Sequence, residues 1–71
     1  MPKIQAIIFK INKWTPTTAL AWLKRHGHQP IKRVDKTPNY LRYRLIPPEN
    51  FKKYFMKEID DGNILLVMGI S

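Results

Sequence analysis

The chain has 71 residues, no cysteine, and a net charge of +8 from 13 Lys and Arg against 5 Asp and Glu. This length predicts one domain with one small core and leaves little room for a deep catalytic cleft. The lack of cysteine excludes disulfides and cysteine-ligated metals, and no apolar run reaches the roughly 20 residues of a membrane span.

The first two elements are a strand over residues 4–11 and a helix that starts after Thr15. The strand is apolar on both faces, which favours a central position in a sheet. Thr15 has the hydroxyl of a good N-cap, and Pro16 suits the first helical position. Gly27 fits the position after the last turn, where the backbone is left-handed. The sequence therefore predicts a helix over residues 16–26.

The apolar face of this helix predicts what it packs against. At about 100° per residue, Ala19, Leu20 and Leu23 share one face, with Trp22 on its flank. Trp14 precedes the N-cap and is expected to pack near Ala19. A helix this short needs a partner surface, so we expect it to lie on one face of a sheet formed by the flanking strands.

A hairpin is predicted next, with residues 31–36 and 40–46 as arms and Thr37-Pro38-Asn39 at the bend. The second arm alternates between apolar and polar side chains. One set should face the helix and consists of Leu41, Tyr43 and Leu45. The other set should lie on the open face of the sheet and consists of Tyr40, Arg42 and Arg44.

The C-terminal third predicts a short helical turn over residues 48–53 and a second hairpin. Residues 54–59 would pair with residues 64–70 around Asp60-Asp61-Gly62-Asn63, because an Asp-Gly step between apolar runs favours a hairpin. The fold class is α+β, with one capped helix on a mainly antiparallel sheet of four or five strands. The alternative is a longer helix through Lys57, which gives a ferredoxin-like β-α-β-β-α-β order.

The positive charge is concentrated in the middle of the chain. Residues 24–46 have a net charge of +6, residues 1–23 have +3, and residues 47–71 have −1. A concentrated basic region attracts polyanions, whereas an ordinary solvated surface is the alternative interpretation of the same charges.

Six residues of this region form the candidate nucleic-acid interface. Arginine and lysine would bind phosphates, and an aromatic ring among them would stack on a base. The six are Lys32, Arg33, Lys36, Tyr40, Arg42 and Arg44. If they neutralise four to six phosphates, the logarithm of affinity should fall with the logarithm of salt concentration at a slope of about −3 to −5. No motif for sequence-specific recognition is present, so DNA and RNA are both candidate ligands.

Other reactive residues have simpler structural interpretations. His26 and His28 lack a third ligand nearby, whereas a zinc site needs three or four. Asp60 and Asp61 fit turn chemistry better than a catalytic carboxylate pair, and Asp35 is expected to pair with a neighbouring cation. No serine or cysteine nucleophile is placed beside a base. We therefore predict a protein that is not an enzyme and has no cofactor and no metal.

The chain contains the segments IIFK, WT, A..WLK.HG and VD.T.NY.R.R and a glycine near the C-terminus. In these segments it resembles a small domain of unknown function. Such domains occur in phage and large-virus proteins, sometimes beside prohead-protease-like sequences. The matching residues are Ile7, Ile8, Phe9, Trp14, Thr15, Ala19, Trp22, Leu23, Lys24, His26, Gly27, Val34, Asp35, Thr37, Asn39, Tyr40, Arg42, Arg44 and Gly69. The resemblance implies a viral or phage accessory module and carries over no protease site.

These observations favour a small viral or phage protein that binds nucleic acid electrostatically and has no membrane partner. The N-terminus lacks the apolar run of a signal peptide. We therefore expect it inside the host cell, in cytoplasm or nucleus, or in the virion, and not secreted. The alternative function is a protein-interaction or virion-assembly module. In that case residues 64–70 would form an exposed apolar edge that dimerises by strand pairing.

Overall fold

One helix packs on a five-stranded antiparallel sheet in the computed structural model, which describes residues 2–71. The elements are β1 (Lys3–Lys10), α1 (Pro16–Arg25), β2 (Asp35–Lys36), β3 (Tyr40–Arg44), β4 (Lys53–Ile59) and β5 (Ile64–Ile70). Single turns of 3-10 helix occupy Pro48–Asn50 and Asp60–Gly62. The strand order is β2-β3-β1-β5-β4, which confirms the α+β class.

Strand β1 lies at the centre of the sheet, as its two apolar faces predict. It pairs with β3 on one side and with β5 on the other. Its register with β5 shifts between Ile4 and Ala6. Because of this irregularity, both Ile4 and Ile7 contact the core beneath α1, although their spacing of three residues would place them on opposite faces of a regular strand.

Helix α1 begins after the predicted N-cap residue Thr15 and ends before the predicted left-handed Gly27. Thr15 Oγ1 accepts from the backbone N–H of Thr18 at 3.2 Å, and Thr18 Oγ1 accepts from the N–H of Thr15 at 2.9 Å. At the other end Gly27 has φ of +74°, and the N–H of His28 donates to Leu23 O at 2.8 Å. This is a Schellman motif, in which the left-handed residue lets the chain reverse and satisfy the last carbonyls.

We expect Thr15→Ala to lower the free energy of unfolding by about 1 kcal/mol, because the Thr18 N–H loses its acceptor. Thr17→Ala is the matched control, since Thr17 is exposed and lies in the same turn. Urea denaturation followed by far-UV circular dichroism measures both variants. Equal stability of the two variants would contradict this role for the N-cap.

The core lies between α1 and one face of the sheet, and Phe9 is at its centre. The Phe9 ring is fully buried and forms edge-to-face pairs with Trp14, Trp22 and Tyr43, at centroid distances of 5.1, 5.7 and 5.7 Å. Trp14 and Trp22 are partly buried against this cluster. Both tryptophans therefore belong to the packing of the helix on the sheet.

Leu20 is not a core residue, so that part of the predicted helix face is wrong. Ala19 and Leu23 are buried, whereas Leu20 is 47% exposed. Leu20 instead lines a surface groove with Pro30 and Ile31, in the segment that leaves α1. The strip of α1 that contacts the sheet is narrower than the apolar face predicted from the helical wheel. The reason is that the partly buried Trp22 packs on Phe9 from one flank of the helix.

The first hairpin is shorter than predicted. Strand β2 contains only Asp35 and Lys36, which pair with Arg42 and Leu41 of β3. Residues 31–34 are not in a strand, although the N–H of Ile31 donates to Arg44 O at 2.9 Å. The first arm therefore follows β3 loosely and forms a ladder only next to the bend.

The second hairpin confirms the preferred interpretation of the C-terminal third, with β4 paired to β5 along its whole length. The ferredoxin-like alternative is wrong, because residues 53–59 form a strand and the helical turn ends at Asn50. The predicted free edge at residues 64–70 is also wrong. Strand β5 lies between β1 and β4, and β4 is the edge strand on that side of the sheet. Within residues 2–71, no helix has the length and apolarity needed to cross a membrane.

Candidate nucleic-acid interface

The face of the sheet opposite α1, here called the open face, carries Tyr40, Arg42 and Arg44 as predicted. All three are half-buried and alternate along β3 with the buried Leu41 and Tyr43. Their partners on β1 are Lys10, Ile8 and Ala6 respectively. Because directly opposed residues project to the same side of a sheet, Lys10 joins this group.

The two arginines lie along the sheet with their stems on its apolar centre. The Nε atoms of Arg42 and Arg44 are buried and have no hydrogen-bond partner among the described residues. The stems therefore cover Ile8 and Ala6, while the terminal nitrogens extend toward solvent. Each guanidinium is held near the sheet surface, which lowers the entropy that it would lose on binding an anion.

One carboxylate partly neutralises this group. Asp35 Oδ2 lies 3.5 Å from a terminal nitrogen of Arg44, which confirms the predicted pairing of Asp35 with a neighbouring cation. The Asp35 side chain is 57% exposed, so the pair is solvated and weak. A phosphate that binds the Arg44 guanidinium would compete with Asp35 at little cost. Arg42 has no carboxylate partner within residues 2–71.

Three of the six predicted interface residues lie elsewhere. Lys36 is opposite Leu41, whose side chain packs beneath α1, so Lys36 projects to the helix side of β2. Lys32 and Arg33 precede β2 and line a groove with Pro16 and Leu20 of the helix layer. The structure therefore does not bring these three cations together with Arg42 and Arg44. The reason is that the first arm forms only two residues of ladder.

The end of the open face next to Tyr40 contains a shallow groove that sequence reasoning missed. Tyr40 and Lys10 line it together with Asn12, Pro38 and Asn39. It lies where the β1–α1 connection meets the bend of the first hairpin, and the N–H of Ile11 donates to Asn39 O at 3.1 Å. An aromatic ring, an ammonium group and two amides are suited to a stacked base with hydrogen bonds at its edge.

The rest of the open face is mostly apolar and aromatic, and its charged residues are Lys3 opposite Gly69 and Glu58 opposite Leu65. Leu65 and Val67 continue its centre from Ile8 toward β4. Farther out, the Phe51 ring covers Gly69 so closely that a Cβ there would overlap the ring. Tyr54 lies opposite Gly69 and contacts Phe51 edge-to-face at 5.9 Å. The open face is therefore mainly cationic on β3 and β1 and mainly apolar on β5 and β4.

The histidines of the helix terminus serve packing and capping. The His26 ring stacks on Trp22 at 3.9 Å, and its Nδ1 lies 2.8 Å from Trp22 O. The His28 ring is 6.2 Å from the same indole. No group of three metal-ligating side chains occurs within residues 2–71. In the core, burial raises the pKa of the Tyr43 phenol above its ordinary value, and the Tyr43 hydroxyl donates to Pro16 O at 3.4 Å.

No family model, curated protein sequence or solved structure matches this chain. The resemblance to a small phage and viral domain consequently stays a prediction from the sequence pattern.

Proposed function

We propose that this chain is a non-catalytic module that binds nucleic acid electrostatically and without sequence preference. The observation that supports the proposal is the position of Arg42, Arg44, Lys10 and Tyr40 on adjacent central strands of an uncovered sheet face. Side chains on packed strands keep their relative positions better than side chains on loops. A polyanion would therefore meet a prearranged surface.

Each group has a distinct chemical role in this proposal. Arg42 and Arg44 would each bind phosphate oxygens with a planar pair of donors. Lys10 would supply a third point charge beside Tyr40, and the Tyr40 ring would stack on a base, which contributes about 1–3 kcal/mol per base in single-stranded complexes. The viral or phage setting of such a module is supported by the sequence resemblance alone.

The salt dependence of binding should be shallower than the six-residue interface predicts. The clustered Arg42, Arg44 and Lys10 neutralise about three phosphates, and each contributes about −0.9 to the logarithmic slope on duplex DNA or −0.7 on single strands. We therefore expect slopes of about −2 to −3. Fluorescence anisotropy of labelled single- and double-stranded oligonucleotides over a salt series measures them. Lack of binding at the lowest salt concentration, or affinity that is independent of salt, would contradict the proposal.

A second candidate function, protein interaction, is favoured by a different surface. Strand β4 is an edge strand, and its Tyr54, Phe55 and Met56 are 45%, 43% and 56% exposed. An edge strand whose backbone N–H and C=O groups are unpaired and whose side chains are apolar is a template for the addition of another strand. Such a partner would leave the cationic half of the open face free, so the two candidate functions are compatible.

A further inference from the structure

We propose that the partner of β4 is a second copy of this chain, with the two β4 strands antiparallel and a two-fold axis at Met56. The proposal rests on the protein-interaction candidate and is independent of nucleic-acid binding. It follows from three features of β4: the direction of its free backbone groups, the order of its charges, and its distance from the basic region.

The free backbone groups of β4 belong to Tyr54, Met56 and Glu58. The N–H of Lys10 donates to Asn63 O at 3.1 Å, so the alternating bonds of β5 that face β1 continue at Leu65 and Val67. The intervening residues of β5 then face β4, where they meet Ile59, Lys57, Phe55 and Lys53. Every second residue of β4 is therefore left with its N–H and C=O toward the open edge.

A two-fold axis at Met56 pairs all seven residues of β4 without opposing like charges. Met56 then faces itself, Tyr54 faces the partner's Glu58, and Lys57 faces the partner's Phe55. An axis at Phe55 would place Lys53 opposite the partner's Lys57, and an axis at Lys57 or Glu58 would oppose identical charges. Because like charges directly opposite each other destabilise a sheet, the Met56 register is favoured.

The charge of the whole chain also favours this edge over the other. Residues 47–71 have a net charge of −1, whereas residues 24–46 have +6 and include β2 and β3 at the opposite side of the sheet. Pairing through β4 joins the least basic parts of two strongly basic molecules. The two β3 strands would then be seven strand spacings apart, which is about 34 Å at roughly 4.8 Å per spacing.

Cysteine cross-linking tests both the partner and the register, because the natural chain has no cysteine. Met56→Cys would place two thiols on a hydrogen-bonded pair, whose Cα separation of about 5.5 Å suits a disulfide. Phe55→Cys is the matched control at a neighbouring exposed position. In the Met56 register a cysteine at position 55 lies opposite the partner's Lys57. The two thiols of the dimer are then two residues apart along the strand and do not face each other. We expect disulfide formation in Met56→Cys to be at least tenfold faster than in Phe55→Cys.

Sedimentation velocity without nucleic acid gives an independent measurement on the natural chain. We expect a concentration-dependent dimer whose Kd rises at least tenfold in Met56→Lys, since two ammonium groups would then meet at the axis. Leu20→Lys adds the same charge on α1 and should leave the Kd unchanged. A monomer at every concentration, or equally fast cross-linking at positions 55 and 56, would overturn the proposal. Either result would leave oligonucleotide binding by Arg42 and Arg44 unaffected.

Discussion

Phe9→Ala is expected to lower the free energy of unfolding by about 3–5 kcal/mol, the range for truncating a fully buried aromatic residue. Phe9 is fully buried and contacts three other aromatic rings at once. The cavity would lie between β1, β3, α1 and the segment that precedes α1, so no single element can move to close it. Proteins of this size have total stabilities of about 4–10 kcal/mol, and the variant should be partly unfolded at room temperature.

Thermal unfolding followed by circular dichroism measures this effect. Each kcal/mol shifts Tm by about 4–8 °C in a domain of 60–100 residues, so a decrease of at least about 12 °C is expected. Phe55→Ala is the matched control, because Phe55 is 43% exposed on the edge strand and should change the stability of the monomer by less than about 1 kcal/mol. Equal effects of the two substitutions would place the core elsewhere than beneath α1.

The double variant Arg42→Gln/Arg44→Gln is expected to weaken oligonucleotide binding by about 10–100-fold at low salt. Two of the three phosphate contacts on the open face would be lost, and the logarithmic salt slope should become shallower by about 1.4–1.8. Glutamine retains a long stem over Ile8 and Ala6, so the sheet surface remains covered. Fluorescence anisotropy over the same salt series measures both the affinity and the slope.

The matched control for this variant removes the same charge from the other layer. Lys24 and Arg25 lie in the last turn of α1 and are exposed. Lys24→Gln/Arg25→Gln therefore also lowers the net charge from +8 by two, but leaves the open face intact. We expect its affinity to decrease by less than about threefold, through the long-range field alone. Equal losses in the two double variants would show that binding depends on net charge and not on this surface.

A dimer through β4 would carry two cationic patches that can bind one nucleic-acid chain. The two-fold axis perpendicular to the sheet joins both open faces into one face of a continuous ten-stranded sheet, whose twist a flexible polymer would have to follow from one cationic patch to the other. Two cationic patches about 34 Å apart would then engage a long oligonucleotide simultaneously, whereas a short one reaches a single patch. An oligonucleotide longer than this spacing should bind with a higher apparent affinity than a short one that reaches a single patch, because binding of the second patch is then intramolecular.

The helix and the two hairpins could be predicted from the sequence because their signals are local. The N-cap at Thr15, the left-handed Gly27 and the turn residues 60–63 act within a few residues of themselves. The alternation of β3 likewise predicted that Tyr40, Arg42 and Arg44 share a face. Successive side chains of a strand point to opposite faces, so which residues share a face can be predicted without knowing the neighbouring strands.

The candidate site was predicted less well, because it depends on which strands are neighbours. Lys36 lies on the helix side owing to its pairing with Leu41, and Lys32 and Arg33 lie outside any ladder. Lys10 was missed because its place beside Tyr40 is fixed by a pairing between residues 30 positions apart. Register between distant segments is set by the whole core, so no local pattern specifies it.

The sequence by itself determined the capped helix, the central first strand and the alternation of β3, and it favoured the β4–β5 hairpin over a longer helix through Lys57, because each of these depends on backbone preferences and side-chain periodicity over a short range. Only the tertiary structure decided that β5 is interior, that β4 is one of the two edge strands, and that the open face is mainly cationic on one half and mainly apolar on the other. Those properties come from the strand order β2-β3-β1-β5-β4. That order brings together strands that are distant in the chain, so it depends on the packing of the whole chain and on no local signal.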